Sequence, residues 1–267
     1  MTAIRLVAVD MDGTFLDDAM GYDRVRFAAV HERMAALGIR FVVASGNQYF
    51  QLRSFFPDHP DTLYVAENGA YIADSEGELL VRPLARDAAT ATWRSLARWP
   101  DLHVVVCGRR SAYTLSGADA GFVARMGRYF HRLAPVESFE DIADDVCKVT
   151  VACTPEHTGR LVVALRDELA DGGVVPVSGG NGAIDLIAPG VHKGSALTWL
   201  GGRLGIRTDE MLAFGDGGND LEMLQAVGLG VAMPHASEQV RAAADAIAES
   251  NNAAGVIRFL EQTLQAK

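Results

Sequence analysis

The sequence predicts an α/β fold: a doubly wound, Rossmann-like parallel sheet carrying a second, inserted α+β domain. Three observations support this. Short continuous apolar runs alternate with helix-length segments at the start of the chain, and the same alternation returns near its end. Between the two stretches, from about residue 83 to residue 189, the order becomes helix, paired strands, helix, strand, helix and two closely spaced strands. The expected division is a core of residues 1–82 and 190–267 and an insert of residues 83–189.

Taken in order, residues 4–10 form an uninterrupted run rich in β-branched side chains, as a strand covered on both faces does. Val25, Ala28, Ala29, Met34 and Leu37 can share one face of the helix that follows, and Gly38 is placed to end it. Residues 39–44 read as a second buried strand, completing a βαβ unit. A helix is expected from near Asn47 to just before Pro57, then a third strand at 62–66. Late in the insert, strands at 174–177 and 183–187 are joined by the flexible Ser178-Gly179-Gly180-Asn181-Gly182. The α/β alternation then resumes with a helix at about 193–204, a strand at 211–214, a helix at about 219–226 and a strand at 228–232. The sequence contains no fixed-period repeat and no low-complexity tract.

With 267 residues, 49% of them hydrophobic, the chain can bury one large core, or one core and a smaller appended domain. Its formal net charge of -10, with no clustering of Lys and Arg, argues against a nucleic acid partner. The same charge repels an anionic metabolite at long range, so a phosphate site must bring its own positive groups from metal, lysine or backbone amides. No apolar run is long enough to span a membrane, and the apolar N-terminal run is too short for a secretory signal. A cytoplasmic protein is expected. Cys107, Cys147 and Cys153 form neither a disulfide set nor a paired metal motif and read as buried, reduced thiols.

Chemistry concentrates at the ends of strands. Asp10 and Asp12, in Asp10-Met11-Asp12-Gly13-Thr14, lie two apart in extended chain, so their carboxylates point to one side and call for a cation between them. Gly13 allows a sharp turn and the Thr14 hydroxyl can fix a carboxylate. A second acidic cluster, Gly215-Asp216-Gly217-Gly218-Asn219-Asp220, follows another buried strand, and Asp216 suits a hard cation such as magnesium. Read alone, it is also a turn with a helix cap. Ser45-Gly46-Asn47 ends the second strand and offers a hydroxyl and backbone amides to an oxyanion; by itself it is equally an N-capping serine. Lys193 can neutralise a nucleophile and a phosphate together, although a lone lysine there is commonly solvated.

Together, Asp10-Met11-Asp12-Gly13-Thr14, Ser45-Gly46, Lys193 and Gly215-Asp216-Gly217-Gly218-Asn219-Asp220 resemble, in order and spacing, the four signature motifs of the haloacid dehalogenase superfamily. The likeness covers the whole chain and is closest to the Cof-type sugar phosphatases, whose large α+β (type IIB) cap is inserted where residues 83–189 fall. Ala44-Ser45-Gly46-Asn47-Gln48 and the run from Gly182 to Gly190 sharpen it. The resemblance implies a phosphomonoester hydrolase acting on small phosphorylated metabolites, foremost sugar phosphates. Asp10 becomes the nucleophile that forms an aspartyl-phosphate, and Asp12 the acid that protonates the leaving alkoxide and the base that activates water. Magnesium (Mg2+) is held by the Asp10 side chain, the Asp12 backbone carbonyl and Asp216. Ser45, the Gly46 and Asn47 backbone and Lys193 hold the transferring oxygens; Asn219 touches phosphate or orients Lys193, and Asp220 anchors its loop.

The chain departs from the common family pattern in having Asn47 where Arg is frequent, and Pro234-His235 where Gly-Asn is frequent. The first removes an arginine clamp; the second puts the loop's conformation in question. Glu67-Asn68-Gly69-Ala70 matches a family loop near the site and equally reads as a type I′ hairpin turn. His192 is read as a loop residue. Asn181 and Asp185 stand between a polar loop and a reader of sugar hydroxyls. Three rivals are phosphotransfer or mutase chemistry, dehalogenation, which needs neither Asp12 nor the metal cluster, and a non-catalytic sugar-phosphate sensor. Substrate identity and oligomeric state are left open by the sequence.

Overall fold

The structure, a computed structural model, describes residues 3–99, 102–170, 172–180 and 182–265. The chain begins with β1 (Leu6–Val9), α1 (Arg24–Ala36), β2 (Arg40–Ala44), α2 (Tyr49–Phe55), β3 (Leu63–Ala66), β4 (Tyr71–Ala73) and β5 (Glu78–Val81). It continues through α3 (Arg86–Leu96), β6 (His103–Gly108), β7 (Ala112–Leu115), α4 (Ala120–Met126), β8 (Leu133–Val136), β9 (Val146–Ala152), α5 (Pro155–Glu168), β10 (Val175–Gly180) and β11 (Ala183–Ile187). It ends with α6 (Lys193–Leu204), β12 (Met211–Gly215), α7 (Leu221–Ala226), β13 (Leu229–Ala232), α8 (Glu238–Ala243), β14 (Ala246–Ile247) and α9 (Gly255–Gln265).

The first and last groups share one eight-stranded sheet, ordered β14-β13-β12-β1-β2-β3-β4-β5. Strands β14 to β3 run parallel, and β4 and β5 add an antiparallel edge. Strand order reverses about β1, so the carboxyl ends of β1 and β12 open a single crevice. Leu6 and Ala8 pack with Leu197, Leu200 and Met223 on one face, while Val7 and Val9 pack with Phe27, Met34 and Leu260 on the other. Burial on both sides is why β1 is apolar at every position.

Helix α1 forms where expected and Gly38 closes it with φ +70°. Its buried face differs. Phe27, Val30, His31 and Met34 point inward, whereas Val25 is 82% exposed, Leu37 is 46% exposed, and Ala28 and Ala29 face solvent. Spaced i, i+3, i+4 and i+7, the inward set includes the bulky aromatic and removes more apolar area from water than a stripe resting on two alanines.

The middle group forms a six-stranded sheet, β10-β11-β9-β6-β7-β8, antiparallel except for the β7–β8 pair. Strand β8 was not anticipated. It carries Pro135, which cannot donate to a ladder and is tolerated at the sheet edge where β8 lies. On the helix side, Val149 and Val151 pack with Trp93, Leu96 and Leu165. Their neighbours Lys148 and Thr150 point to the other face, as alternation along a strand requires. Cys107 and Cys147 are buried free thiols; Cys153 is only partly buried, against expectation, because it follows the end of β9. Among the described residues no helix is long and apolar enough to cross a membrane.

Candidate active site

At the carboxyl end of β1 the chain winds through residues 11–15 in one irregular turn. Gly13 adopts φ +80°, and a Cβ there would stand 2.8 Å from Asp216 Oδ2, so both backbone and space call for glycine. The Thr14 hydroxyl donates to Asp216 Oδ1 at 2.6 Å, tying the first motif to the second acidic cluster 202 residues on. Asp10 is 7% exposed and its Oδ1 accepts from Lys193 Nζ at 2.6 Å. Asp12 Oδ2 accepts from the Asn47 amide at 2.6 Å, while the buried Oδ1 has no hydrogen-bond partner among the described residues.

Lys193 is fully buried, not solvated, and lies on the first turn of α6. The residue before it, His192, caps that helix by accepting from the Ser195 N–H through Nδ1, a role in local structure. Lys193 Nζ also donates to Asp220 Oδ1 at 2.6 Å. The other oxygen of Asp220 accepts from the Asp216 and Gly217 N–H groups at 3.0 and 2.9 Å, so Asp220 both shapes its loop and aims the lysine. The hydrogen bond that holds Lys193 on this loop comes from Asp220, and the Asn219 amide instead donates to Asn68 Oδ1 at 2.9 Å.

The second motif also differs in detail. Helix α2 starts at Tyr49 with Gln48 at its N-cap, so Ser45 is not a helix cap. Ser45 is buried, and its Oγ accepts from the Asn47 N–H at 3.1 Å, so this amide is already engaged. Glu67, Asn68 and Gly69 have φ of +50°, +56° and +98° in the link between antiparallel β3 and β4. The segment is thus a hairpin connection that also faces the crevice. Asn68 Nδ2 donates to Asp185 Oδ2 at 2.6 Å.

Asp185 does not stand free in a loop. It lies in β11, where Lys148 Nζ and Thr150 Oγ1 donate to it at 2.8 and 2.7 Å. Asn181 falls outside the described residues. Lys148 and His235 were not anticipated. Lys148 was detectable from the alternation of polar and apolar residues in Lys148-Val149-Thr150-Val151, which marks a half-polar face. His235 Nε2 stands 3.4 Å from Asp216 Oδ2, a juxtaposition with no local sequence signal.

Ligand oxygens of Asp10, Asp216 and Asp220 come within 4.8 Å of one another. Burial pushes the Asp10 carboxyl well above its ordinary range; Lys193 opposes the shift and Asp220 and Asp216 add to it. Asp216 is raised by burial, with the Thr14 hydrogen bond opposing, and Asp12 is raised by burial, with the Asn47 hydrogen bond opposing. One lysine does not balance this many desolvated carboxylates. An oxygen-seeking divalent cation fits such a donor set, with Asp10 and Asp216 free to bind because both oxygens of Asp220 are engaged.

A cation beside a paired carboxylate, and a second carboxyl with a free oxygen two residues on, suit attack on an electrophile followed by proton transfer. Comparison with known proteins points to one family. The family profile of the haloacid dehalogenase-like hydrolases matches residues 7–260. The 5-amino-6-(5-phospho-D-ribitylamino)uracil phosphatase YbjI of Escherichia coli strain K12 is 42% identical over 264 residues, 98% of this chain and 97% of that one. The crystal structure of SMU.1108c from Streptococcus mutans UA159 superposes with a TM-score of 0.92 at 35% identity, covering 98% of this chain and 100% of that chain. The subclass IIB sugar phosphatase BT4131 shares the fold, with a TM-score of 0.82 at 20% identity over 97% of this chain and 98% of that one. With its motifs gathered at one crevice and the match spanning nearly its full length, the chain belongs to the haloacid dehalogenase-like hydrolases and is a phosphoric monoester hydrolase.

Proposed function

We propose that the protein is a magnesium-dependent, cytoplasmic phosphatase of small phosphorylated metabolites, foremost sugar phosphates, with residues 1–82 and 190–267 as catalytic core and 83–189 as cap. One observation carries the reading. Asp10 is held by Lys193 at 2.6 Å, while Asp12 keeps a buried oxygen unpartnered among the described residues.

Asp10 is the nucleophile: its carboxylate oxygen attacks phosphorus and the ester oxygen leaves, giving an aspartyl-phosphate. Asp12, with its carboxyl raised by burial, donates the proton that the departing alkoxide needs, then takes one from the water that cleaves the acyl-phosphate. Lys193, Ser45 and the Gly46 N–H hold the phosphoryl oxygens, the Asn47 N–H orients the Ser45 hydroxyl, and Asp220 aims Lys193. Asn219 belongs to the same phosphate-site wall through Asn68. Asp10, the Asp12 carbonyl and Asp216 would hold magnesium, which when bound would offset the charge shared by nucleophile and phosphate.

The crevice extends to a cleft of about 1490 Å³ whose far wall includes Trp99, Arg128, Tyr129 and Arg160. That volume far exceeds a phosphate group and supports selection of the leaving group by the cap. The name of the Escherichia coli relative supports including a phosphorylated ribityl-pyrimidine with sugar phosphates in a substrate panel. Asp10→Asn is expected to abolish release of inorganic phosphate from p-nitrophenyl phosphate and from the best panel substrate. Wild-type turnover by that variant with magnesium present would remove Asp10 from the chemistry.

A further inference from the structure

Lys148 is 3% exposed and belongs to the six-stranded sheet, yet its Nζ leaves that sheet to donate to the Gly46 carbonyl of the eight-stranded core at 2.7 Å. It also donates to Asp185 Oδ2 at 2.8 Å, the same oxygen that receives the Asn68 amide from the core at 2.6 Å. Asn68 in turn accepts from Asn219. One buried chain of hydrogen bonds therefore runs from β9 to both loops that flank the phosphate site. Glu67 Oε2, buried and unpartnered among the described residues, stands 3.6 Å from Lys148 Nζ and keeps the ammonium in place by charge.

A peptide group is planar, and the Gly46 carbonyl shares its plane with the Asn47 N–H. Holding the carbonyl fixes the direction of the N–H. That amide donates to Ser45 Oγ, so a fixed peptide also fixes the hydroxyl that the phosphatase reading assigns to the phosphoryl oxygens. Gly46 imposes little torsional restraint of its own, and the space a Cβ would take is bounded by Asp185 Oδ2 at 3.1 Å and Asn68 Oδ1 at 3.2 Å. External contacts set the orientation of this peptide.

Building on the phosphatase reading, we propose that Lys148 is a positioning residue: it locks the Gly46–Asn47 peptide in its phosphate-binding orientation only while the six-stranded sheet is seated on the core. Phosphate binding and cap seating are thereby one event. Lys148 touches the loop, not the reacting atoms, so its effect falls on phosphate affinity and KM more than on kcat.

The test is calorimetric titration of inorganic phosphate into the full-length, magnesium-loaded protein, with steady-state kinetics on p-nitrophenyl phosphate beside it. Lys148→Met is expected to weaken phosphate binding and raise KM by about tenfold or more, the scale of one lost charge-assisted hydrogen bond. Lys148→Arg should recover much of the loss. Lys148→Met, Asp185→Asn and their pair should be non-additive, because both residues act through one network; the pair also removes both members of the Lys148–Asp185 ion pair, and Glu67, raised to about 7 by burial, can stay protonated beside it in mildly acidic buffer if Lys148→Met alone fails to fold. Phosphate affinity within twofold of wild type in a folded Lys148→Met, or in the pair, overturns the proposal, as does a loss confined to thermal stability. Wild-type protein that binds phosphate but releases none from any ester sinks the phosphatase reading, while the comparison of variants by calorimetry still decides on Lys148. Wild-type protein that binds no phosphate overturns both.

Discussion

Asn47 and Glu67 show how single side chains set proton affinity in this crevice. Burial raises the Asp12 carboxyl and the Asn47 amide lowers it by stabilising the carboxylate. Asn47→Leu removes only the lowering influence, so the carboxyl climbs further and stays protonated to higher pH. The alkaline limb of kcat/KM is then expected to move to higher pH, measured with magnesium saturating; an unmoved limb would disconnect Asn47 from Asp12. Glu67 is raised by burial from its ordinary 4.5 to about 7, with Lys148 opposing. Below 4.5 both folded and unfolded chains hold this proton. Between 4.5 and about 7 the unfolded chain loses it first, so stability falls as pH rises through that window, by roughly 3 kcal/mol in total. In Glu67→Gln that share of the decline should vanish, which urea unfolding at pH 5 and pH 8 reads directly; an unchanged difference between the two pH values would mean Glu67 does not titrate there.

Among the elements, α1 and the turn after β1 were legible to different degrees, and the reasons are physical. The helix and its glycine stop follow from local propensity, whereas its inward face depends on which residues meet the sheet. Phe27, fully buried, should cost about 3–5 kcal/mol when changed to Ala, while Val25→Ser should stay within about 0.5 kcal/mol. Similar losses for both in urea unfolding would contradict the packing described. In the turn, Gly13 was readable as a bend, but the 2.8 Å approach of Asp216 exists only because β1 and β12 are neighbours. Gly13→Ala should therefore lower kcat/KM by more than about 100-fold by displacing the acidic cluster, and phosphate release assays check it. Strand β8 shows the opposite case: its Pro135 hides a strand that the sheet edge accommodates.

For the molecule as a whole, the carboxyls of Asp10, Asp12 and Asp216 are all raised, chiefly by burial, so the metal-free fold holds protons that the unfolded chain gives up. The contribution of these three groups to stability falls as pH rises above the ordinary carboxyl range of about 4. On the magnesium-dependent reading proposed above, magnesium would bind the deprotonated groups and reverse this, adding about 2.7 kcal/mol at a hundred times its Kd. Magnesium should accordingly raise Tm more at pH 8 than at pH 5.5, and equal shifts at both would argue against a site built on these carboxylates. The sequence alone determined the α/β class, the inserted second sheet and the motif residues Asp10, Asp12, Ser45, Lys193 and Asp216, because strand periodicity and strand-end motifs are local properties of the chain. Only the tertiary structure decided what each group faces: that Asp220 rather than Asn219 aims Lys193, that Asn47 serves Asp12, that His235 meets Asp216, and that Lys148 reaches across to Gly46. Those pairings join residues tens to hundreds of positions apart. Their partners are chosen by strand order and by the seating of one sheet on the other, which no local pattern encodes.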